Sequence, residues 1–322
     1  MFLSRPKRIE RTGDDRPAAN LVAFMWRMSG WYQVPACILA LVVAGLTVVP
    51  LELQRRIIDD ALTAGDAELL VMLALIYLGV IALNGMIKFV LRVYQGWLAE
   101  STIAYCRRHI IGLHGRETKN EAEGQSGTAV SIVNHELEAI GGFVGDGISD
   151  PLAQVGVMVA IVVYMVTVEP MIALISIAFL GPQVVIIPLI QRKLNALVDR
   201  RVDLVRDLSE DVTDQAGEED LLKRTDNDIR RMFGNRMRFF LWKFLGKVVL
   251  NFLNAVAPLM VLAFGGWMVV QGETQVGVVV AFISGFNRMA EPLRDLINYY
   301  RIYSQTNVKH EKVARWMDDR AE

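Results

Sequence analysis

Between positions 191 and 247 the chain reads QRKLNALVDRRVDLVRDLSEDVTDQAGEEDLLKRTDNDIRRMFGNRMRFFLWKFLGK. This stretch is densely charged, has no proline, and holds Gly217 and Gly234 as interior punctuation. On either side lie segments with no formal charge at all, 171–190 and 248–270. A helix rising about 1.5 Å per residue needs about 20 apolar residues to cross the roughly 30 Å hydrocarbon core, so both flanks read as membrane spans. The charged stretch between them stands in water. It is expected to rise as one helix, turn near the acidic run 211–220, and return as another, forming a rod that reaches ~38 Å beyond the bilayer. Ordinary connections are far shorter.

The whole chain agrees with a membrane setting. Its 322 residues are 53% hydrophobic and only 21% charged, and mean hydropathy is positive, a balance typical of integral membrane proteins. The net charge of −1 and the scattered basic residues give no reason to expect a nucleic-acid partner. Cys37 and Cys106 suggest neither a disulfide framework nor a metal site. His109, His114, His135 and His310 include no i, i+4 pair and read as exposed polar residues. Residues 1–30 read as a cytoplasmic tail followed by a short interfacial helix, with Leu21, Phe24, Met25 and Met28 on the face expected to meet the membrane interface.

Six spans follow within 31–308: 34–49 with an apolar extension to 53, then 69–87, 151–168, 171–190, 248–270, and 274 to about 300. Trp31 and Tyr32 anchor the start of the first, and Pro50 is expected to kink or end it. Residues 52–68 read as an acid-leaning connection. A polar excursion at about 92–150 matches the one at 191–247 in length, and residues 309–322 return to a charged helical pattern. Lys and Arg gather in the tails and the two long excursions, while the short connections are acidic or neutral. By the positive-inside rule both termini and both rods are cytoplasmic.

Chemistry-bearing motifs are few. The phosphate-cradling pattern G-x-x-x-x-G-K-[ST] is absent, and Gly141, Gly142, Gly145 and Gly147 follow no strand, so they fit close helix packing better than a dinucleotide loop. No catalytic, cofactor-binding or metal-ligating residue is expected. Polar residues within spans are costly in lipid and point to a cavity or a partner helix. Asn84, Lys88 and Arg92 share one helical face, Asn251 and Asn254 share another, and Asn287, Glu291, Arg294, Asn298 and Arg301 form a stripe. Asn84, Lys88, Asn251, Asn254, Asn287 and Glu291 are the candidate cavity-lining residues. Two readings stand for these stripes: a water-filled pathway, or a cytoplasmic mouth where long cationic side chains snorkel. The acids Asp207, Glu210, Asp211, Asp214, Glu218, Glu219 and Asp220 read as a solvated rod tip or a docking surface.

Several local patterns carry a family resemblance. Pro50, Arg56-Ile57-Ile58-Asp59, Leu62 and Gly65-Asp66 resemble the end of the first span and the following loop in the transmembrane domain of exporter-type ABC transporters. Gly277, Ala281-Phe282 and Pro292-Leu293 resemble its sixth span, and Ala314-Arg315-Trp316-Met317 the helix leading to the nucleotide-binding domain. The resemblance implies an all-α membrane fold of six transmembrane helices with two long cytoplasmic helical extensions. It implies a dimer with a second transmembrane domain, in which the fourth and fifth spans cross to the other protomer. Coupling helices near 117–128 and 212–222 would press on ATPase domains. Glu117, Glu121, Asp214, Glu218, Glu219 and Asp220 are the candidate coupling residues, and ATP and magnesium are expected on the nucleotide-binding partner. The acidic second tip departs from the family's apolar-and-glycine pattern there.

The sequence stops where that ATPase domain would begin, so the domain is expected to be truncated, on a separate chain, or lost. The expected function is the membrane subunit of an ATP-driven exporter in a bacterial inner membrane, surrounded by lipid. The alternatives are a non-transporting scaffold of the same fold, or an ion-coupled secondary transporter using Lys88 or Glu291. The substrate is not legible.

Overall fold

A computed structural model describes residues 6, 7, 9, 18, 20–117, 136–213 and 218–318, with the side chains of 113–117, 210–213, 218–224, 316 and 318 left aside. No strand occurs among the described residues. The described residues form nine α-helices in order: α1 Leu21–Ser29, α2 Gln33–Leu46, α3 Val49–Arg56, α4 Ala67–Glu117, α5 Leu137–Asp146, α6 Ser149–Val168, α7 Pro170–Thr213, α8 Glu218–Val270 and α9 Val276–Asp318. A 3-10 turn, Gly30–Tyr32, joins α1 to α2, and a π-helical segment, Ile57–Leu62, continues α3. Among the described residues five stretches are long and apolar enough to cross a membrane: Leu21–Leu62, Ala67–Gly112, Leu137–Val168, Pro170–Ser209 and Thr225–Val270. The apolar opening of α9 reaches only Phe286 before Arg288, Glu291, Arg294 and Asp295 dilute it, so α9 completes the plan of six without joining that set by composition.

The helices fall into two compact units, Met1–Thr167 with Val276–Glu322, and Val168–Gln275. The first is organised along α4. Asp66 Oδ1 accepts from the Glu68 and Leu69 N–H groups at 3.0 Å each and caps its start. No proline interrupts the next 51 residues, which at 1.5 Å each make a rod of about 77 Å. Leu91, Gln95, Leu98, Thr102, Cys106 and Ile110 are buried, and their steps of three and four residues put them on one face. In the earlier turns Leu73 packs with Leu53 and Ala61, while many apolar side chains stay outward, Phe89 at 69% and Met86 at 67% exposure, as a lipid-facing surface requires. Glycines at 141 and 145 let α5 lie directly against α4: an added Cβ at Gly141 would strike Ile103, and one at Gly145 the Gln95 carbonyl. Close packing is therefore the use of Gly141 and Gly145, whereas Gly142 faces open space and Gly147 meets only Phe143 of its own helix.

Three expectations change. The stripe Leu21, Met25 and Met28 does not face the membrane interface; it is buried with Ile110, Ile140, Phe143 and Val313 in the main core, with Phe24 packed against it. Trp26 (54% exposed) and Trp31 (80%) face outward instead. The reason is that α4, α5 and α9 supply a complementary apolar surface for α1. His310 is buried rather than exposed, 5% accessible, with its ring 5.4 Å from that of Phe24. Finally, the first span breaks at Thr47 and Val48, ahead of Pro50, which sits in the first turn of α3 where a missing N–H costs nothing. Much of 52–68 is helix rather than loop.

Caps fix α1 in place. Asn20 Oδ1 accepts from the Ala23 N–H at 2.7 Å, and Gly30 takes φ 51°, a left-handed conformation suited to glycine. Lys7 Nζ donates to the Met28 and Ser29 carbonyls at 2.9 Å and lies 4.2 Å over the Tyr32 ring, placing a cation at the negative end of the helix. Burial lowers the Lys7 pKa from its ordinary value.

In the second unit α7 and α8 pack along one another. Asn235 Nδ2 donates to the Leu197 carbonyl at 2.9 Å, and the hydrogen of Gly246 faces Ile190, whose Cγ2 lies 3.0 Å from where a Cβ would stand. Residue numbers rise on one helix as they fall on the other, so the pair is antiparallel. With 44 and 53 residues, both helices continue well past bilayer thickness, as the opening stretch of sequence predicts.

Candidate functional site

Within the first unit α2, α4, α6 and α9 enclose a cavity of about 320 Å³. Its wall includes Val43 and Thr47; Asn84, Lys88, Leu91 and Arg92 from α4; Asp150, Ala153, Gln154 and Val157 from α6; and Arg288, Glu291, Pro292 and Asp295 from α9. The α4 and α9 contributions recur at helical spacing, so one face of each helix supplies them. Three cations and three carboxylates line the space, and formal charge cancels.

Four of those six charges are engaged. Arg92 Nη1 contacts Asp150 Oδ2 at 2.9 Å, and Gln95 Nε2 donates to Asp150 Oδ1 at 3.0 Å. Asp295 Oδ2 accepts from Gln154 Nε2 at 3.1 Å. Arg288 Nη1 donates to the Thr47 carbonyl at 3.4 Å. That carbonyl is open because the chain breaks at Thr47 and Val48, where the Leu51 N–H turns back to Val48 instead. Lys88 and Glu291 make no ion pair or hydrogen bond with any described side chain. Asn84 Oδ1 is buried on the same wall without a donor.

The structure thus brings Asn84, Lys88 and Glu291 together. Asn287 is exposed one position off the lining face of α9. Asn251 and Asn254 stand on α8 in the second unit, Asn251 exposed and Asn254 half-buried with Oδ1 lacking a donor. Arg288, Asp295, Asp150 and Gln154 escaped the sequence reading, although Arg288 and Asp295 lie at i−3 and i+4 from Glu291, on its own helical face. Glu117 ends α4 and Glu218, Glu219 and Asp220 open α8, where acidic residues suit the positive end of the helix; their side chains, and Glu121 and Asp214 altogether, lie outside the described residues. Among the described residues no group of three or more His, Cys, Asp or Glu could hold a metal ion.

A second polar cluster joins α3, α6 and α9. Glu52 accepts from Arg55 Nε and Nη2 at 2.9 and 2.6 Å, from Arg56 Nε at 2.8 Å and from Tyr164 Oη at 3.2 Å. Asp59 Oδ1 accepts from the Gly277 N–H at 2.7 Å, at the start of α9. A Cβ on Gly277 would come within 2.5 Å of the Arg55 carbonyl and 2.6 Å of the Asp59 carboxylate. The motif residues at 56–59 and 277, distant in sequence, form one joint.

The framework of long apolar helices agrees with comparisons to known proteins. The chain is 22% identical over 289 residues to the Bacillus subtilis (strain 168) protein named "Putative multidrug export ATP-binding/permease protein YgaD", covering 82% of this chain and 49% of that one. It therefore spans about half the length of that curated relative. The family described as ABC transporter transmembrane region matches residues 34–293, which takes in most of the apolar spans, every cavity-lining residue except Asp295 and the joint at Gly277, and the chain belongs to this family of integral membrane proteins.

Proposed function

We propose that the chain is the membrane-spanning part of an ATP-driven exporter, working as a dimer and coupled through its long helices to nucleotide-binding domains. The observation that carries this reading is the length of α4, α7 and α8, 51, 44 and 53 residues, against the 20 or so that a bilayer needs. Rigid helices of that reach carry a displacement at their tips along their whole length as a rocking motion, and α4 is itself a wall of the cavity. The compactness of Val168–Gln275 as a unit of its own supports an arrangement in which α7 and α8 pair with a second protomer. In this reading ATP and magnesium belong to the partner, the chain supplies no catalytic residue, and both termini and the helix tips lie on the cytoplasmic side of a bacterial inner membrane.

Affinity purification of the full chain from membranes tests the proposal. A nucleotide-binding protein should travel with it, and its ATPase rate should respond to reconstitution with this chain. Reversing charge at Glu218, Glu219 and Asp220 together should lower that response while membrane insertion is unchanged. Failure of any ATPase to associate, by fusion or in trans, would remove the power-coupled reading.

A further inference from the structure

From the two charges on the cavity wall that make neither an ion pair nor a hydrogen bond we infer that the ligand class of this site is a small zwitterion, with an ammonium group and an acidic group on one apolar body. This inference rests on the exporter reading only for what happens after binding. Its basis is local. Arg92 is ion-paired with Asp150, while Asp295 and Arg288 are each tied to one neutral partner, Gln154 and the Thr47 carbonyl. Lys88 on α4 and Glu291 on α9 line the same space without such partners.

A purely cationic ligand would satisfy Glu291 and meet Lys88 as a like charge; a purely anionic one would do the reverse. Repulsion of that kind acts as selection against the wrong ligand. A zwitterion answers both, its acid receiving the Lys88 ammonium and its ammonium received by the Glu291 carboxylate, each as a charge-assisted hydrogen bond. Asn84 Oδ1, buried without a donor, offers an acceptor for a further N–H on the ligand. Val43, Leu91, Val157 and Pro292 supply apolar wall. About 320 Å³ lies at the small end of ligand-pocket volumes, which suits a dipeptide or a lipid headgroup.

Both a free apolar dipeptide and the headgroup of an ethanolamine lipid carry this chemistry. The test uses the full-length chain in nanodiscs of anionic phosphatidylglycerol and measures binding by native mass spectrometry. One probe set is leucyl-leucine, its N-acetyl form and its methyl ester. The other is lysophosphatidylethanolamine, lysophosphatidic acid and an alkylamine of equal chain length. The zwitterion in at least one set should bind about tenfold or more tightly than either singly charged member, the scale of one charge-assisted contact. The set showing the preference identifies the source as free solute or lipid headgroup.

Lys88→Gln should lower zwitterion binding about tenfold and leave the cation-only probe unaffected or improved, while Glu291→Gln should do the converse for the anion-only probe. Equal binding of zwitterions and singly charged probes by the native chain would overturn the inference, with no variant needed. So would variants that fold as the native chain does and bind the zwitterion unchanged. Binding requires no ATPase, so a failed preference leaves the exporter reading intact, and a failed search for an ATPase leaves this one intact.

Discussion

The joint at Gly277 and the cavity at Lys88 are built from the same materials, carboxylates and cations set among apolar helices, yet they treat charge in opposite ways. At the joint Glu52 collects Arg55, Arg56 and Tyr164, and Asp59 caps the start of α9 through Oδ1, its Oδ2 being buried without a donor. In the cavity Arg92 and Asp150 close on each other, but Lys88 and Glu291 do not. Charge that is closed within the chain fixes backbone geometry. Charge left open addresses something outside the chain. The contrast separates two kinds of polar residue that a hydropathy profile scores alike, and it can be broken by substitutions whose stability effects should differ steeply.

The largest effect is expected at Gly277. Gly277→Val places a branched side chain where even a Cβ meets the Arg55 carbonyl at 2.5 Å, and the N–H donated to Asp59 at 2.7 Å must withdraw. Overpacking and the lost charge-assisted bond together should cost about 3 kcal/mol. Thermal unfolding of the purified protein in detergent measures it. A melting curve superimposable on that of the native chain would deny the joint its structural role.

A lesser effect is expected at Glu52. Glu52→Gln keeps the shape but removes the charge that receives two guanidinium groups, and the side chains of Glu52 and Arg55 remain 27% and 29% exposed. Water therefore screens part of the interaction, and the expected loss is about 1 kcal/mol. Arg56→Gln, whose parent side chain is 54% exposed, should cost less again. Equal losses from the two would mean that exposure does not grade this network.

These sites also show what the sequence makes legible. The long helices were readable because 171–190 and 248–270 carry no charge while the stretch between them carries many; length and hydropathy need no tertiary information. Asn84, Lys88 and Glu291 stand out in the sequence because polar residues in a span are costly in lipid, but spacing alone leaves open whether they line a pathway or a cytoplasmic mouth. The face of α1 was misjudged because an amphipathic stripe looks the same whether it meets lipid or protein; only the apolar surface formed by Ile110, Ile140 and Val313 decides. His310 escaped for the same reason. Arg288 and Asp295 were passed over because the stripe was counted from Asn287, one position off the lining face, and helical spacing alone does not fix where a face begins. The link between Asp59 and Gly277 crosses 218 residues, a separation at which local pattern carries no signal.

A smaller, pH-gated effect is expected where α1 meets α9. Burial lowers the His310 pKa from its ordinary value of 6.5, with Glu311 acting in the opposite direction. The folded chain thus holds this imidazole neutral at pH values where the unfolded chain has begun to protonate. Below about 6.5 the unfolded state binds more protons, so the stability present above that pH is lost as pH falls toward the lowered folded value. His310→Phe, which preserves an aromatic ring beside Phe24, should flatten that part of the pH profile in thermal unfolding. A profile that keeps its slope would assign the proton uptake to another group.

The smallest stability effect should be at Lys88, and its smallness is what makes it informative. A side chain in an ion pair or a cap contributes to folding through that partner; Lys88 is exposed to the cavity and has no such partner. Lys88→Gln retains the aliphatic stem and should change unfolding free energy by less than about 0.5 kcal/mol, as for surface positions free of special contacts. The joint at Glu52 supplies the calibration, since a carboxylate lost there must register in the same assay. If Lys88→Gln destabilises as much as Glu52→Gln, the cation has a structural partner and the cavity charge is closed. If it leaves folding untouched while ligand binding falls, the cation is held ready for a molecule from outside, and the difference between the two polar sites is one of function.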